Sequence, residues 1–270
     1  MVFKNLAFRL WHVAQASECF NSKEHWLLNM KLLVVGGAGY VGSIVVPVLE
    51  KEFECTHFDI KPVQGHEDHT ILADVGDEEK VRQAVVGMDA VLYLAMGWGK
   101  NAQGHPDVSD INPAFDVNVR GLYRFLYLSL AAGTKRFVYA STLSVYKNLW
   151  ENTVFDENRP ADSWYPYGLS KRVGEFVCNC AAQEYDSACI TAIRLIHPRN
   201  ENVWPKNQYD PQKSRNICGT GPKDTQQLFV KAVNYDKPGF HLFQASGDME
   251  GKYFPNNLVN EVLGWLPQNE

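Results

Sequence analysis

Hydrophobic positions along the chain follow two rhythms. Short aliphatic and β-branched runs at 31–35, 55–58, 70–73, 90–94, 136–140 and 188–194 read as strands. Between them, 40–51, 77–86, 113–132 and 165–185 carry apolar residues at helical spacing. Asp77 stands where a helix N-cap belongs, and Gly133 where a helix-closing glycine belongs. After position 195 the rhythm breaks. Pro198, Pro205, Pro211 and Pro222 cut the chain into loops, followed by a helix at 223–234, a strand at 240–244 and a short helix at 256–264. Strands alternating with helices imply βαβ crossovers, and so an α/β fold with a doubly wound parallel sheet covered on both faces. The last strand is expected to return to that sheet. Three segments follow: an extension at 1–29 of uncertain role, a main domain at 30–195 and a small C-terminal region at 196–270.

Composition removes several function classes. The 270 residues are 45% hydrophobic and 21% charged with a net charge of −5, so the surface lacks the basic excess that nucleic acid or anionic membranes demand. No apolar run approaches the roughly 20 residues of a membrane-spanning helix. The six cysteines (Cys19, Cys55, Cys178, Cys180, Cys189, Cys218) sit in a chain too large for a small disulfide scaffold, which points to reduced thiols and a cytoplasmic setting. Cys178 and Cys180 fall two apart on a helix and do not face each other, and no metal-ligand set is read from the sequence. Met30 directly precedes the first strand, so 1–29 is read as a dispensable extension.

The first strand runs into Gly36-Gly37-Ala38-Gly39-Tyr40-Val41-Gly42 and then a helix. Glycines at 36, 39 and 42 permit the tight turn, the approach of backbone to a pyrophosphate, and close helix–strand packing. The helix N-terminus offers free N–H groups and the positive end of its dipole to the phosphates, with Tyr40 and Val41 in its first turn. Asp59, 20 residues after Gly39, ends the second strand, where a carboxylate can take the ribose hydroxyls. That carboxylate would repel a 2′-phosphate, so NAD is the expected cofactor, and 30–195 reads as a Rossmann-type NAD-binding domain. Asp74 and Val75, after the third strand, are placed at the adenine.

Tyr167 and Lys171 lie four apart on a helix, on one face. An ammonium beside a tyrosine favours the phenolate, and its donors can also hold a ribose. Ser141, Thr142 and Ser144 follow the fifth strand at its carboxyl end, where open α/β sheets bind ligands.

Taken together, these pieces resemble the extended short-chain dehydrogenase/reductases, the NAD-dependent epimerase/dehydratase group. The resemblance covers about 30–195 and rests on the glycine turn, Leu94-Ala95-Met96, Asn118-Val119-Arg120-Gly121, Ser141 through Tyr146, and Tyr167-Gly168-Leu169-Ser170-Lys171. It implies that Thr142 is the catalytic hydroxyl, Tyr167 the acid/base and Lys171 its helper. Leu94, Ala95, Met96 and Asn118 would support the cofactor. Val35 and Met96 depart from the family's usual threonine and alanine. A dehydratase would carry an acidic pair after the Ser/Thr, and Leu143 and Ser144 stand there instead. The C-terminal tail is similar to that of uronate dehydrogenases, which implies a substrate contact from Arg194. His197 is a candidate pocket residue, and Trp98 in Gly97-Trp98-Gly99 a candidate sugar platform. The expected activity is NAD-dependent oxidation of a small sugar or sugar acid. A nucleotide-sugar epimerase and a non-catalytic NAD sensor are the alternatives. Relatives often pair two helices per subunit into a four-helix bundle, which implies a homodimer through 113–132 and 165–185.

Overall fold

The computed structural model describes residues 30–98, 108–147, 157–204 and 218–268. The proposed extension at 1–29, Cys19, Gly99, Pro205 and Pro211 lie outside the described residues. Seven strands form one sheet in the order β3-β2-β1-β4-β5-β6-β7. They are β1 Lys31–Val35, β2 Glu54–Asp59, β3 Thr70–Leu72, β4 Ala90–Tyr93, β5 Arg136–Thr142, β6 Cys189–Leu195 and β7 Gly239–Ala245. Every pairing is parallel. The order reverses direction at β1, between β2 and β4, which makes the carboxyl edge there a natural ligand crevice.

The helices are α1 Tyr40–Glu52, α2 Glu78–Ala84, α3 Val108–Phe115, α4 Leu122–Ala131, α5 Pro166–Glu184, α6 Pro222–Asn234 and α7 Asn257–Leu263. They divide the core in two. On one face Leu32, Val34 and Leu92 pack with α1, α6 and α7 residues such as Val45, Phe229 and Val259. On the other, Leu33, Val35 and Val91 pack with Phe125, Leu126 and Cys178 of α4 and α5. A central strand buried on both faces needs an unbroken apolar run, which is why 31–35 does not alternate. At the far edge β7 pairs with β6 over its full length, so the last strand returns to the sheet. Trp265 is buried and donates its indole N–H to the Asp224 carbonyl at 2.9 Å, fastening the tail to α6.

Sequence and structure differ most around Pro113. Helical spacing predicts a helix beginning there, whereas α3 starts at Val108 with Pro113 inside it. A proline in that position costs one backbone hydrogen bond, a cost that packing against neighbouring elements can override. The helix then runs through a π-helical turn, Asp116–Gly121, before α4. Such turns often mark functional sites. Asp77 caps α2 as expected, accepting the Lys80 N–H at 3.1 Å.

Candidate active site

The glycine turn closes the carboxyl end of β1. Gly36 has φ +90°, and a Cβ there would lie 2.4 Å from the Ala95 nitrogen, so only glycine fits. A Cβ on Gly42 would lie 2.1 Å from the Gly37 carbonyl oxygen, which lets α1 start hard against the turn. Gly39 is the N-cap of α1 and no side chain caps that end, so the first-turn N–H groups are left for a ligand. Tyr40 is exposed, and its hydroxyl accepts the Asn200 N–H at 3.3 Å. Val41 is half-buried in the same turn.

Asp59 sits beside this turn. One carboxylate oxygen accepts the Ala38 N–H at 2.9 Å and the other the Lys61 N–H at 3.1 Å. Its position across the turn suits a ribose. Asp74 is exposed and accepts the Gly76 N–H at 2.6 Å, while Val75 is buried next to it. Leu94 is buried, Ala95 half-buried and Met96 exposed at the end of β4. The cradle without Cβ atoms, the uncapped helix end and the adjoining acid together fit a dinucleotide.

Asn118 lies in the π-helical turn and is fully buried. Its side-chain oxygen accepts the Gly97 N–H at 2.9 Å, and its amide donates to the Gly97 carbonyl at 3.1 Å and to the Ser170 hydroxyl at 3.0 Å. Ser170 in turn donates to the Tyr167 carbonyl at 2.8 Å. With both amide hydrogens used, Asn118 acts as a clamp joining the loop after β4 to the helix of Tyr167. Trp98 follows that clamped glycine, half exposed, with its ring 4.5 Å from the Tyr167 ring.

Thr142 ends β5, and its hydroxyl accepts the Ser144 N–H at 3.1 Å. Tyr167, in the first turn of α5, is near enough for the Thr142 side chain to act on its hydroxyl. Burial pushes the Tyr167 hydroxyl up to about 12, and the polar Thr142 side chain pulls against that. Lys171 is buried one turn further on, donating to the Ala140 carbonyl at 2.8 Å with its ammonium 4.7 Å from the centre of the Tyr139 ring. Burial lowers Lys171 to about 7, and the Glu175 carboxylate opposes the fall. Helical spacing alone predicts an ammonium that lowers the tyrosine. Here desolvation is the largest influence on both groups, with Lys171 fully buried and Tyr167 half-buried.

Arg194, expected to contact the substrate, is engaged within the protein. It is buried and grips Glu175 at 2.9 and 2.8 Å, with a third bond of 2.5 Å to the Tyr146 hydroxyl. The Ser141 hydroxyl donates to the same Glu175 at 2.6 Å. His197 follows β6, exposed, with φ +40°, a left-handed conformation that a histidine adopts only when the surrounding structure requires it. Sequence reading missed Ser170 and Glu175. Glu175 lies four residues past Lys171 on a helix, a spacing that flags a partner for the lysine.

Away from the turn's open side, Glu50 meets His57 at 2.6 Å and His66 at 3.2 Å. These three side chains are close enough to hold an ion. Coordination through the facing nitrogen of His57 would, however, leave a proton on its other nitrogen, which is buried without a partner. The cluster is read as a hydrogen-bonded brace. Cys55, Cys178, Cys189 and Cys218 are buried free thiols and Cys180 an exposed one.

The chain is similar to known proteins over most of its length. At 31% identity over 260 residues the chain is similar to the L-arabinose 1-dehydrogenase (NAD(P)(+)) of Haloferax volcanii, covering 88% of this chain and 96% of the relative. At 31% over 266 residues it is similar to the N-acetyl-alpha-D-glucosaminyl-diphospho-ditrans,octacis-undecaprenol 4-epimerase of Escherichia coli O157:H7, covering 88% of this chain and 78% of the relative. The fold matches that of a short-chain dehydrogenase/reductase superfamily protein from Agrobacterium tumefaciens with bound NAD, at a TM-score of 0.72 and 19% identity over 88% of this chain and 92% of the other. A glucuronic acid dehydrogenase from Chromohalobacter salexigens gives a TM-score of 0.72 at 24% identity, over 88% and 84%. The family model for the NAD dependent epimerase/dehydratase family matches residues 32–217. This chain therefore belongs to the NAD-dependent epimerase/dehydratase family, as an NAD-using enzyme of the sugar dehydrogenase and epimerase kind.

Proposed function

We propose that the enzyme oxidises a small free sugar or sugar acid, with Thr142, Tyr167 and Lys171 as its catalytic residues. The observation that carries this reading is the packing of α5 on β5, where Lys171 donates to the Ala140 carbonyl at 2.8 Å two residues before Thr142, with Leu143 and Ser144 following instead of an acidic pair. A substrate hydroxyl placed between Thr142 and Tyr167 gives its proton to Tyr167. Thr142 donates to the same substrate oxygen as negative charge develops there. Lys171, when protonated, stabilises the phenolate form of Tyr167 that takes this proton. NAD, when bound, supplies the hydride acceptor.

In this reading the turn of Gly36, Gly39, Tyr40, Val41 and Gly42 holds the pyrophosphate and Asp59 the adenosine ribose. Asp74 and Val75 border the adenine, Leu94, Ala95 and Met96 border the nicotinamide, and Asn118 keeps the loop after β4 in place. Trp98 forms one wall of the sugar pocket, and His197 stands at its rim. The extent of the match to the arabinose dehydrogenase favours a free sugar over a nucleotide-linked one.

Incubating the protein with NAD and a panel of uronates, aldoses and nucleotide sugars tests the proposal. NADH formation with a free sugar, reduced about 10³-fold or more by Tyr167→Phe, is the expected result. Isomerised product without net NADH establishes the epimerase alternative instead, and full turnover by Tyr167→Phe removes the mechanism. No helix among the described residues is long and apolar enough to cross a membrane. The free thiols support a cytoplasmic location. Exposed Tyr123, Tyr127 and Phe176 line a groove of about 560 Å³ between α4 and α5, which supports a homodimer through that face. Sedimentation of Phe176→Glu as a monomer, against a dimeric parent, is the check.

A further inference from the structure

Four side chains that the proposed reaction does not use form one buried network beneath the catalytic residues. Glu175 is one helical turn beyond Lys171 on α5 and 6% exposed. It accepts from Ser141 on β5 at 2.6 Å, and from the Arg194 Nε and Nη2 on β6 at 2.9 and 2.8 Å. Arg194 passes the connection on to the Tyr146 hydroxyl, just past the turn that carries Thr142 and Ser144. One carboxylate thus ties the helix of Tyr167 and Lys171 to the strand end of Thr142.

We propose that Glu175 is a positioning residue that favours the charged form of Lys171 against burial, and that Arg194 is the counter-ion limiting how strongly it does so. This rests on the catalytic reading of Lys171 given above.

The groups around Lys171 are few. On its own helix these are Tyr167, Glu175 and Cys178, and burial keeps the Cys178 thiol protonated. From β5 come the Tyr139 ring, which burial also keeps neutral, and the Ala140 carbonyl. The π-helical turn contributes only the neutral Asn118, through Ser170. From β6, Arg194 bonds to Glu175 rather than to the lysine itself. Glu175, one turn along the same helix and buried with it, is therefore the carboxylate that acts most directly on Lys171. A lone buried carboxylate would attract the ammonium strongly in this low-dielectric setting, and a bidentate guanidinium cancels much of that field.

The two members of the pair consequently have opposite effects. Removing the charge of Glu175 makes Lys171 harder to protonate, while removing Arg194 makes it easier. A purely mechanical brace gives no such opposition.

The experiment needs neither substrate nor NAD, so it fails independently of the proposed reaction. Urea unfolding is measured from pH 5 to 10 for the parent and Lys171→Met, and again for both in the Glu175→Gln and Arg194→Met backgrounds. A lysine whose folded-state value is depressed destabilises the fold at low pH, and that penalty shrinks as pH rises from its folded-state toward its unfolded-state value. The difference curve between each protein and its Lys171→Met partner therefore bends at the folded-state value of Lys171, about 7 in the parent. Glu175→Gln is expected to move the bend to lower pH by about one unit, and Arg194→Met to move it higher. An unmoved bend in Glu175→Gln, or movement in the same direction in both backgrounds, overturns the proposal. If Arg194→Met fails to fold, the Glu175→Gln arm decides alone.

Discussion

The two halves of the crevice are built in opposite ways. Around β1 and α1, shape comes from backbone and from missing side chains: Gly36 at φ +90°, Gly42 against the Gly37 carbonyl, and a helix end with no side-chain cap. Around β5, α5 and β6, shape comes from side chains bonding to each other in a buried space: Ser141, Glu175, Arg194 and Tyr146. A backbone cradle binds what any dinucleotide presents, so it needs little beyond the right dihedrals. Positioning an acid/base pair needs fixed charges, and buried charges persist only when every partner is in place.

That contrast can be broken most severely on the side-chain half. Arg194→Met should cost about 3–5 kcal/mol in urea unfolding, because it strands the Glu175 carboxylate in the interior. Adding Glu175→Leu to it should recover most of the loss, which a double-mutant cycle measures. On the backbone half, Gly36→Ala should cost about 2–3 kcal/mol through its positive φ and its collision with Ala95, and should weaken NAD binding by calorimetry.

Lys171→Met sharpens the comparison by moving stability and activity in opposite directions. It should abolish turnover yet raise stability by about 1–3 kcal/mol at pH 7, since it removes a desolvated amine. Lys171 is depressed from 10.5 to about 7, so this advantage is largest at and below pH 7 and fades toward pH 10.5. The smallest effect is expected at Asp59→Asn, which keeps the hydrogen-bonding shape but loses the charge. NAD affinity should fall by about tenfold, and discrimination against NADP should narrow, as fluorescence titration with both cofactors will show.

Most of the fold was legible in the sequence because it is written locally. An apolar run such as Lys31–Val35 can only be a strand buried on both faces, and a glycine cluster between strand and helix can only be a tight turn. Helix limits were less legible where packing outweighed propensity, as at Pro113. In the site, the pairing of Tyr167 and Lys171 on one helix face followed from spacing and the choice of Thr142 from the family resemblance, but their electrostatics followed from neither. The fourfold spacing of Tyr167 and Lys171 suggests an ammonium lowering a phenol, and burial reverses the balance.

By itself, then, the sequence determined the parallel α/β sheet, the glycine turn between β1 and α1 and the placing of Tyr167 and Lys171 one turn apart on a helix, since each depends on neighbours within a few positions. Only the tertiary structure decided the partner of Arg194, the clamp made by Asn118 and the charge surroundings of Lys171. Those depend on residues from separate strands and helices that crossovers bring into one space, and on how completely that space excludes water.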